Sequence, residues 1–345
     1  MEQLFHGKSQ WIYYGVIEMT FEQELMRVRS AYFLDGWLKF NEEMWGYKAE
    51  RVMYTLPGKE RPALEGVLYL TKSGKVRMPP CNAYLPLQFY ATPTDQPYRL
   101  YEQWSSVVGL FAADIKKRGL VGTINFNPGF LDGRAFQWLG FNTTLRYTFV
   151  SPLPYLEGMV DVSVKKKYKK AQKNEYIVQR TFDWDKVLFC LKKTADFQKF
   201  DIITTEKLFS RCRELLGDNV LVSHLAYSKD GFPVSTQVSI AMSGGLSVAW
   251  CGGTDREHMP RGANQYLYAN VLKDLAALGV KYSDYCGANM EFVARAKAAW
   301  GFPLVPYISL VDNSLPQKTR RFIASYIPGA RTAYHKLSGL LRGGN

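Results

Sequence analysis

The stretch Leu246–Leu310 decides the fold of this chain, and it reads LSVAWCGGTDREHMPRGANQYLYANVLKDLAALGVKYSDYCGANMEFVARAKAAWGFPLVPYISL. It predicts an apolar strand, a loop rich in glycine and polar residues, a long helix, a buried strand ending at Asp284, a second helix and a final strand. This order places the first helix's unpaired N–H groups and its positive dipole end at the loop. The loop therefore predicts either an anion site or a turn that serves packing alone.

The sequence before this stretch predicts an antiparallel meander. Three alternating strands are joined by turns at Asp230-Gly231 and Gly244-Gly245, and the third strand opens the deciding stretch. Before the meander, helices are predicted near 183–190 and 205–216. An earlier succession of strands and helices closes near residue 150. We expect domains at residues 1–150 and 151–315, followed by a basic amphipathic tail at 316–345 that packs on the domain or lies on a membrane surface.

Composition favours a folded chain with anionic partners. Its 345 residues are 47% hydrophobic, which suits two domains at ~150 residues each. The 44 Lys and Arg against 31 Asp and Glu give a formal charge of +13. Such a field favours nucleotide cofactors, phosphorylated precursors, nucleic acid or an anionic membrane, although a basic face on a soluble protein has the same composition.

Cysteine and histidine usage predicts a chain without a bound metal. The five cysteines form no CxxC pair and there are only four histidines, so we expect no zinc site. The N-terminus does not resemble a signal peptide, and no uninterrupted run of ~18 apolar residues occurs. We therefore expect a reduced, cytoplasmic location.

A lysine-rich helix is predicted within SVKKKYKKAQKNEYIVQR, residues 163–180. Its six lysines cover most of the helix circumference, so they form either a solvated face or a docking surface for phosphates. On the second interpretation, Lys166 and Lys170, together with Arg146 of the preceding strand, are candidate ligands of an anionic acceptor.

The order of meander, polar loop, helix, strand, helix and strand resembles the second half of an acyl-CoA N-acyltransferase (GNAT) domain. The strand end at Asp284, the following Gly287 and the run Lys297-Ala298-Ala299-Trp300-Gly301-Phe302 resemble the FemAB-like branch, in which a Phe-Lys-x-x-Phe-Gly stretch follows. Here position 296 is Ala instead of Phe. Upstream, LGFNTTLRYTFV resembles the branch's inter-domain strand and KKKYKKAQKNEYIVQR its lysine-rich helix, so the resemblance covers residues 60–310.

The resemblance implies an α/β chain with mixed α+β sheets and two tandem GNAT-like domains, the first degenerate in donor binding. It implies an N-acyltransferase that moves an acetyl, acyl or aminoacyl group onto an amine of a cell-envelope or polysaccharide precursor. The donor would be an acyl-CoA, acetyl-CoA first, or an aminoacyl-tRNA, the one case that involves nucleic acid. No metal is implied. The acceptor would be an anionic small molecule or a nucleotide- or lipid-linked sugar, with peripheral contact at the inner membrane face as an alternative location.

The resemblance also points to residues for the donor. We expect the donor phosphates at the helix start, on Arg261, Gly262, Ala263 and Asn264. This loop departs from the Gln/Arg-x-x-Gly-x-Gly/Ala pattern of ordinary GNAT enzymes, since Asn264 replaces the second glycine. A loop that only turns the chain is the alternative.

Three residues are candidates for the chemistry. Asp284 would act as base or orient the acceptor amine, or else it caps the helix near Asn289. Lys297 would neutralise charge on the acyl oxygen or hold a diphosphate, or else it is an ordinary exposed lysine. Tyr285 is a candidate proton donor for the leaving group. The rival function is a non-catalytic GNAT-like module that docks on anionic glycan precursors or a membrane surface.

Overall fold

The computed structural model describes residues 20–199 and 201–311. The helices are α1 Phe21–Leu25, α2 Asp35–Trp45, α3 Pro97–Arg118, α4 Arg134–Trp138, α5 Val162–Lys173, α6 Trp184–Gln198, α7 Glu206–Leu216, α8 Ala263–Ala277 and α9 Glu291–Ala298. The strands are β1 Lys48–Thr55, β2 Pro62–Leu70, β3 Leu87–Phe89, β4 Thr123–Asn125, β5 Asn142–Pro152, β6 Ile177–Arg180, β7 Leu221–Tyr227, β8 Pro233–Ile240, β9 Leu246–Thr254, β10 Tyr282–Asp284 and β11 Leu304–Val311. The predicted tail at residues 316–345 lies outside the described residues.

The strands form two sheets. A three-stranded antiparallel sheet has the order β1-β2-β3, and an eight-stranded mixed sheet has the order β4-β11-β5-β10-β9-β8-β7-β6. The expected α/β architecture with mixed sheets is confirmed. The larger sheet draws strands from both sides of residue 150, because β5 pairs with β11 on one edge and with β10 on the other. The domain boundaries at 150 and 315 stay a prediction.

The strands β9 and β10 form the parallel pair at the centre of the large sheet. Helix α8 connects them, as parallel neighbours require a crossover. Their register pairs Tyr282 with Leu246 and Asp284 with Val248. Since β10 ends at Asp284 while β9 continues to Thr254, the two strands part beyond that point. This divergence is the feature that positions the candidate site.

Most predicted elements near the divergence are confirmed. The meander β7-β8-β9 is present, and Thr205 caps α7 by accepting a hydrogen bond from the Leu208 N–H at 3.2 Å. The helix predicted at 183–190 was too short, because α6 continues to Gln198 through a buried stripe that includes Leu191 and Ala195. Strands β1 and β6 were not predicted, because their hydrophobic pattern does not indicate a strand. They are recognised by their pairing with β2 and β7.

The N-terminal part of the described chain packs on the large sheet. Leu25, Tyr32 and Trp37 belong to the same buried cluster as Val248 and Tyr282. Trp37 and Trp250 meet edge to face with ring centroids 5.8 Å apart. The face of the sheet at the divergence is therefore covered by side chains that lie more than 200 residues earlier in the chain.

Candidate functional site

The divergence of β9 and β10 opens a cleft of about 730 Å³. We call it the cationic cleft. Its walls come from the end of α6, the second half of β9, the start of α8, the loop after β10 and α9. Its lining includes Lys193, Phe197, Gln237, Trp250, Cys251, Gly252, Gly253, Arg256, Asn264, Tyr285, Cys286, Phe292 and Lys297.

Positive charge dominates the cationic cleft. Lys193, Arg256 and Lys297 line it, and none of the described acidic residues does. The Arg256 guanidinium lies 4.0 Å from the Phe197 ring centroid, which holds it at the wall. Lys193 lies 3.3 Å from the Asp255 carboxylate, which partly offsets its charge. The cleft suits a ligand that carries phosphate groups.

The predicted donor loop divides between two sides of the fold. A 3-10 turn, Arg256–Arg261, leads to Gly262 at the N-cap of α8. Asn264 lines the cationic cleft, and its Oδ1 accepts a hydrogen bond from the Thr254 hydroxyl at 3.5 Å. Ala263 beside it is fully buried.

Arg261 lies on the other side. It lines a separate polar cleft of about 480 Å³ with Tyr176 and His258, whose hydroxyl and Nδ1 are 2.6 Å apart. Burial and the Arg261 charge lower the pKa of His258. The structure does not bring Arg261 together with Lys297 in one cleft. Its role as a donor ligand stays a prediction.

Gly262 has a packing role that accounts for the glycine. Its φ of +88° lies in the left-handed region, and a Cβ there would meet the carbonyl oxygen of Lys167 at 2.0 Å. The α5 backbone therefore crosses the start of α8 too closely for any side chain. This packing supports the interpretation of the loop as a turn, and an anion at its N–H groups stays a prediction.

Asp284 is fully buried at the end of β10. Its Oδ1 accepts hydrogen bonds from the Thr148 hydroxyl at 2.5 Å and from the Cys286 N–H at 2.8 Å. Its Oδ2 is buried and accepts no hydrogen bond from the described residues. The Tyr84 hydroxyl lies close enough to lower the pKa of Asp284. Burial raises the pKa of Asp284, and these donors and the Lys297 charge oppose the shift.

One alternative for Asp284 is wrong. Helix α9 begins at Glu291 with Met290 as its N-cap, so Asp284 does not cap it. The carboxylate instead fixes the turn at Cys286, whose φ of +49° is unusual for a residue other than glycine. Asp284 thus holds the loop after β10. A role as base stays a prediction.

Lys297 binds the same loop from the other direction. Its ammonium donates hydrogen bonds to the carbonyl oxygens of Tyr285 at 2.7 Å, Gly287 at 3.1 Å and Cys286. Burial lowers the pKa of Lys297, and Cys286 and Asp284 oppose the shift. The alternative of an ordinary exposed lysine is wrong, because the side chain is half-buried and fully engaged.

Tyr285 stands between Lys297 and the aromatic core. Its ring stacks on Tyr268 with centroids 3.8 Å apart, and the Lys297 ammonium lies 4.9 Å from its centroid. Burial raises the pKa of Tyr285, so the phenol stays protonated near neutrality. The same shift makes it a weaker acid than a free tyrosine, and its role as proton donor stays a prediction.

The predicted acceptor ligands lie outside the cationic cleft. Lys166 and Lys170 are exposed on α5 and do not line it. Arg146 is exposed on β5, opposite Tyr307 on β11; burial raises the pKa of Tyr307, and the Arg146 charge opposes that shift. The structure does not bring these three cations to the cleft, and their contact with an acceptor stays a prediction.

Sequence reasoning missed Lys193 and Arg256. Lys193 lies on the part of α6 beyond the predicted end, and Arg256 opens the 3-10 turn that the sequence showed as loop. Continuing the apolar stripe through Leu191 and Ala195 would have found the first. Only the fold brings the second to the cleft.

No group of three or more His, Cys, Asp or Glu side chains within residues 20–199 and 201–311 is placed to hold a metal ion. In the same part of the chain, no helix combines the length and apolarity needed to cross a membrane.

Comparisons with known proteins identify the fold. No protein-family model and no curated protein matches the sequence. Among solved structures, FemX matches with a TM-score of 0.58 at 12% identity, over 88% of this chain and 97% of that one. The C-terminal domain of a lysylphosphatidylglycerol synthetase from Agrobacterium fabrum matches with a TM-score of 0.50 at 10% identity, over 83% and 90%. A tandem GNAT protein from the clavulanic acid biosynthesis pathway matches with a TM-score of 0.41 at 11% identity, over 78% and 84%. The expected FemAB-like GNAT fold is thus confirmed.

Proposed function

We propose that this protein is an N-acyltransferase whose donor binds in the cationic cleft. The observation that carries the proposal is the divergence of β9 and β10, which opens a cleft between the start of α8 and Lys297. A helix N-terminus and three cations around one opening suit the phosphates of an acyl-CoA or an aminoacyl-tRNA. Acetyl-CoA is the first donor to test.

The reaction requires little beyond positioning. A neutral amine attacks the acyl carbon, a C–N bond forms, and the bond to the leaving sulfur or oxygen breaks. The leaving group takes the proton that the amine gives up. Beyond Val248, the edge of β9 that β10 leaves uncovered offers backbone N–H groups to the developing oxyanion.

Lys297 and Asp284 support this chemistry by holding the loop after β10. The Lys297 charge lies beside the opening and favours the oxyanion and the donor phosphates. Asp284 orients the Cys286 backbone by accepting a hydrogen bond from its N–H. Tyr285 is the proposed proton relay, because it lines the cleft and its phenol stays protonated: it would give its proton to the leaving group and regain the proton that the amine gives up.

The proposed acceptor is an amine of an anionic cell-envelope or polysaccharide precursor. The formal charge of +13 and the exposed lysines of α5 support an anionic acceptor. FemX and a synthetase named for an aminoacylated lipid share this fold at low identity, which is compatible with the proposal but does not identify the acceptor.

Calorimetric titration tests the donor directly. The purified chain is titrated with acetyl-CoA and, separately, with a charged tRNA, and we expect one of them to bind in the micromolar to millimolar range typical of substrates. Turnover is then followed by mass spectrometry on amine-bearing glycan precursors. Binding of neither donor would overturn the proposal.

One observation favours a non-catalytic module as second candidate. The Lys297 ammonium is committed to three backbone carbonyls, and the Asp284 carboxylate has no exposure to a ligand. Both groups then only stabilise a loop, and the exposed lysines of α5 would provide the docking surface. Binding of an anionic glycan precursor without binding of either donor would select this candidate.

A further inference from the structure

A second space opens at the same divergence of β9 and β10. It measures about 390 Å³, and we call it the apolar cavity. It shares Ala249, Trp250, Cys251, Gly252 and Cys286 with the cationic cleft, so the two spaces meet at the point where the strands part.

The apolar cavity differs from the cationic cleft in its chemistry. Asp201 is the one charged residue among its described lining. The other walls are mainly aliphatic, aromatic or thiol-bearing, and they include Pro80, Cys81, Ala83, Leu191, Ile202, Ile203, Val248, Trp250, Cys251 and Cys286.

The thiols in this wall behave as small apolar groups. Burial raises the pKa of Cys81 to about 12, and it raises the pKa of Cys251 and Cys286 as well. All three are free cysteines. Near neutrality they are uncharged, so the wall they form is apolar.

We propose that the apolar cavity receives the hydrocarbon part of the transferred acyl group, so that the preferred donors are medium-chain acyl thioesters. This inference rests on the proposed function. Donor phosphates in the cationic cleft place the thioester at the divergence, and the acyl chain then continues into the adjoining cavity. The shared wall from Ala249 to Gly252 provides that continuity.

The acceptor fits this space poorly. Asn82, Asp201 and Thr204 are the polar side chains of the described lining, so most hydroxyl and amide groups of a sugar or peptide precursor would stay unpaired against the aliphatic and thiol walls, which costs free energy for each group. An acyl chain gains affinity in the same place, because burial of apolar surface drives its transfer from water.

A series of acetyl-, butyryl-, hexanoyl- and octanoyl-CoA titrated into the full chain tests the inference. Each methylene buried from water favours binding by roughly fourfold, so octanoyl-CoA, with six more methylenes to bury, should bind on the order of 1,000-fold more tightly than acetyl-CoA. Ala83→Leu should shrink this ratio at least tenfold, because Ala83 lines the apolar cavity and not the cationic cleft. The matched control Ala113→Leu, at an exposed position of α3, should leave the ratio unchanged.

Thiol modification gives a readout that does not depend on affinity. Octanoyl-CoA should slow alkylation of Cys81, which lines the apolar cavity and not the cationic cleft, and acetyl-CoA should protect Cys81 much less; peptide mass spectrometry measures both. Cys251 and Cys286 line both spaces, so both thioesters should protect them, whereas Cys212, which is buried elsewhere, should not respond.

The outcomes separate the two proposals. Equal affinity across the chain-length series, or equal protection of Cys81 by both thioesters, would overturn the acyl cavity while leaving the N-acyltransferase in place. Binding of charged tRNA without any CoA thioester would also overturn it and leave the proposed function standing. Binding of neither donor class would overturn both.

Discussion

The loops that follow β9 and β10 differ in how the fold holds them. The loop after β9 carries the Gly-Pro-rich sequence, yet its Arg261 is exposed and turned toward His258. The loop after β10 has an ordinary sequence, yet Asp284 and Lys297 make four hydrogen bonds to its backbone between Tyr285 and Gly287.

The two loops show that the residue types in a loop do not determine where the fold places their side chains. Gly262 in the first loop is required because the α5 backbone leaves no room for a Cβ. Lys297 on α9 is half-buried, and its ammonium is surrounded by three carbonyl oxygens of the second loop. The loop that looks functional in the sequence is shaped by packing, whereas buried charge concentrates in the other loop.

The largest effect should come from packing in the first loop. Gly262→Ala should lower the free energy of unfolding by roughly 3 kcal/mol, because it combines a left-handed φ with a Cβ 2.0 Å from the Lys167 carbonyl oxygen. Gly244→Ala, at φ +69° with nothing within 4 Å, should cost only about 1 kcal/mol. Urea unfolding measures both. Equal losses would show that the crossing of α5 does not constrain this loop.

The next effect should come from the buried carboxylate in the second loop. Folding raises the pKa of Asp284, so its favourable contribution to stability is present below its unfolded pKa of about 3.9 and is lost as pH rises through the folded pKa. Asp284→Asn should therefore gain stability relative to the natural chain as pH rises from about 4 toward neutrality. The gain should be about 1.4 kcal/mol for each unit by which folding raises the pKa.

The control for this pH dependence has the opposite sign. Hydrogen bonds from Arg134 lower the pKa of Asp132, so its contribution is present above the unfolded pKa and is lost as pH falls. Asp132→Asn should therefore lose stability relative to the natural chain as pH rises. Thermal unfolding across pH measures both variants, and a flat difference curve for Asp284→Asn would contradict the burial of an ionisable carboxylate.

The smallest effect should come from Arg261. Arg261→Ala should change the affinity for acetyl-CoA by less than about twofold, since its side chain lies outside the cationic cleft. The substitution should raise the pKa of His258, because Arg261 is one of the groups that lower it. Proton NMR can follow this histidine among the four in the chain. A tenfold loss of donor affinity would instead place Arg261 at the donor.

The sequence predicted many elements of the fold and part of the site. The alternation of β8 and the cap at Thr205 are local signals, and the structure contains both elements. Asp284 and Lys297 were identified through the resemblance. The structure shows that both act on the loop after β10.

The remainder depends on contacts that no local pattern records. Strand β1 buries Val52 alone, and β6 buries none of its four residues, so neither shows a strand's apolar alternation. The polar run at Lys192-Lys193-Thr194 resembles a helix end, although α6 continues and brings Lys193 to the cleft. The packing of Tyr32 and Trp37 over the divergence of β9 and β10 is a long-range contact that only the tertiary structure creates.

The measurement that tests the central claim most directly is titration of acetyl-CoA into the natural chain, Lys297→Met and Lys281→Met. Lys281→Met is the control, because Lys281 is exposed and lies outside the cationic cleft. Arg256→Met is titrated as a fourth protein, because Arg256 lines the cationic cleft without holding the loop after β10. We predict binding to the natural chain, roughly tenfold or greater weakening in Lys297→Met and Arg256→Met, and no change in Lys281→Met. Binding that is equally tight in all four folded proteins would contradict the claim that the divergence of β9 and β10 holds the donor.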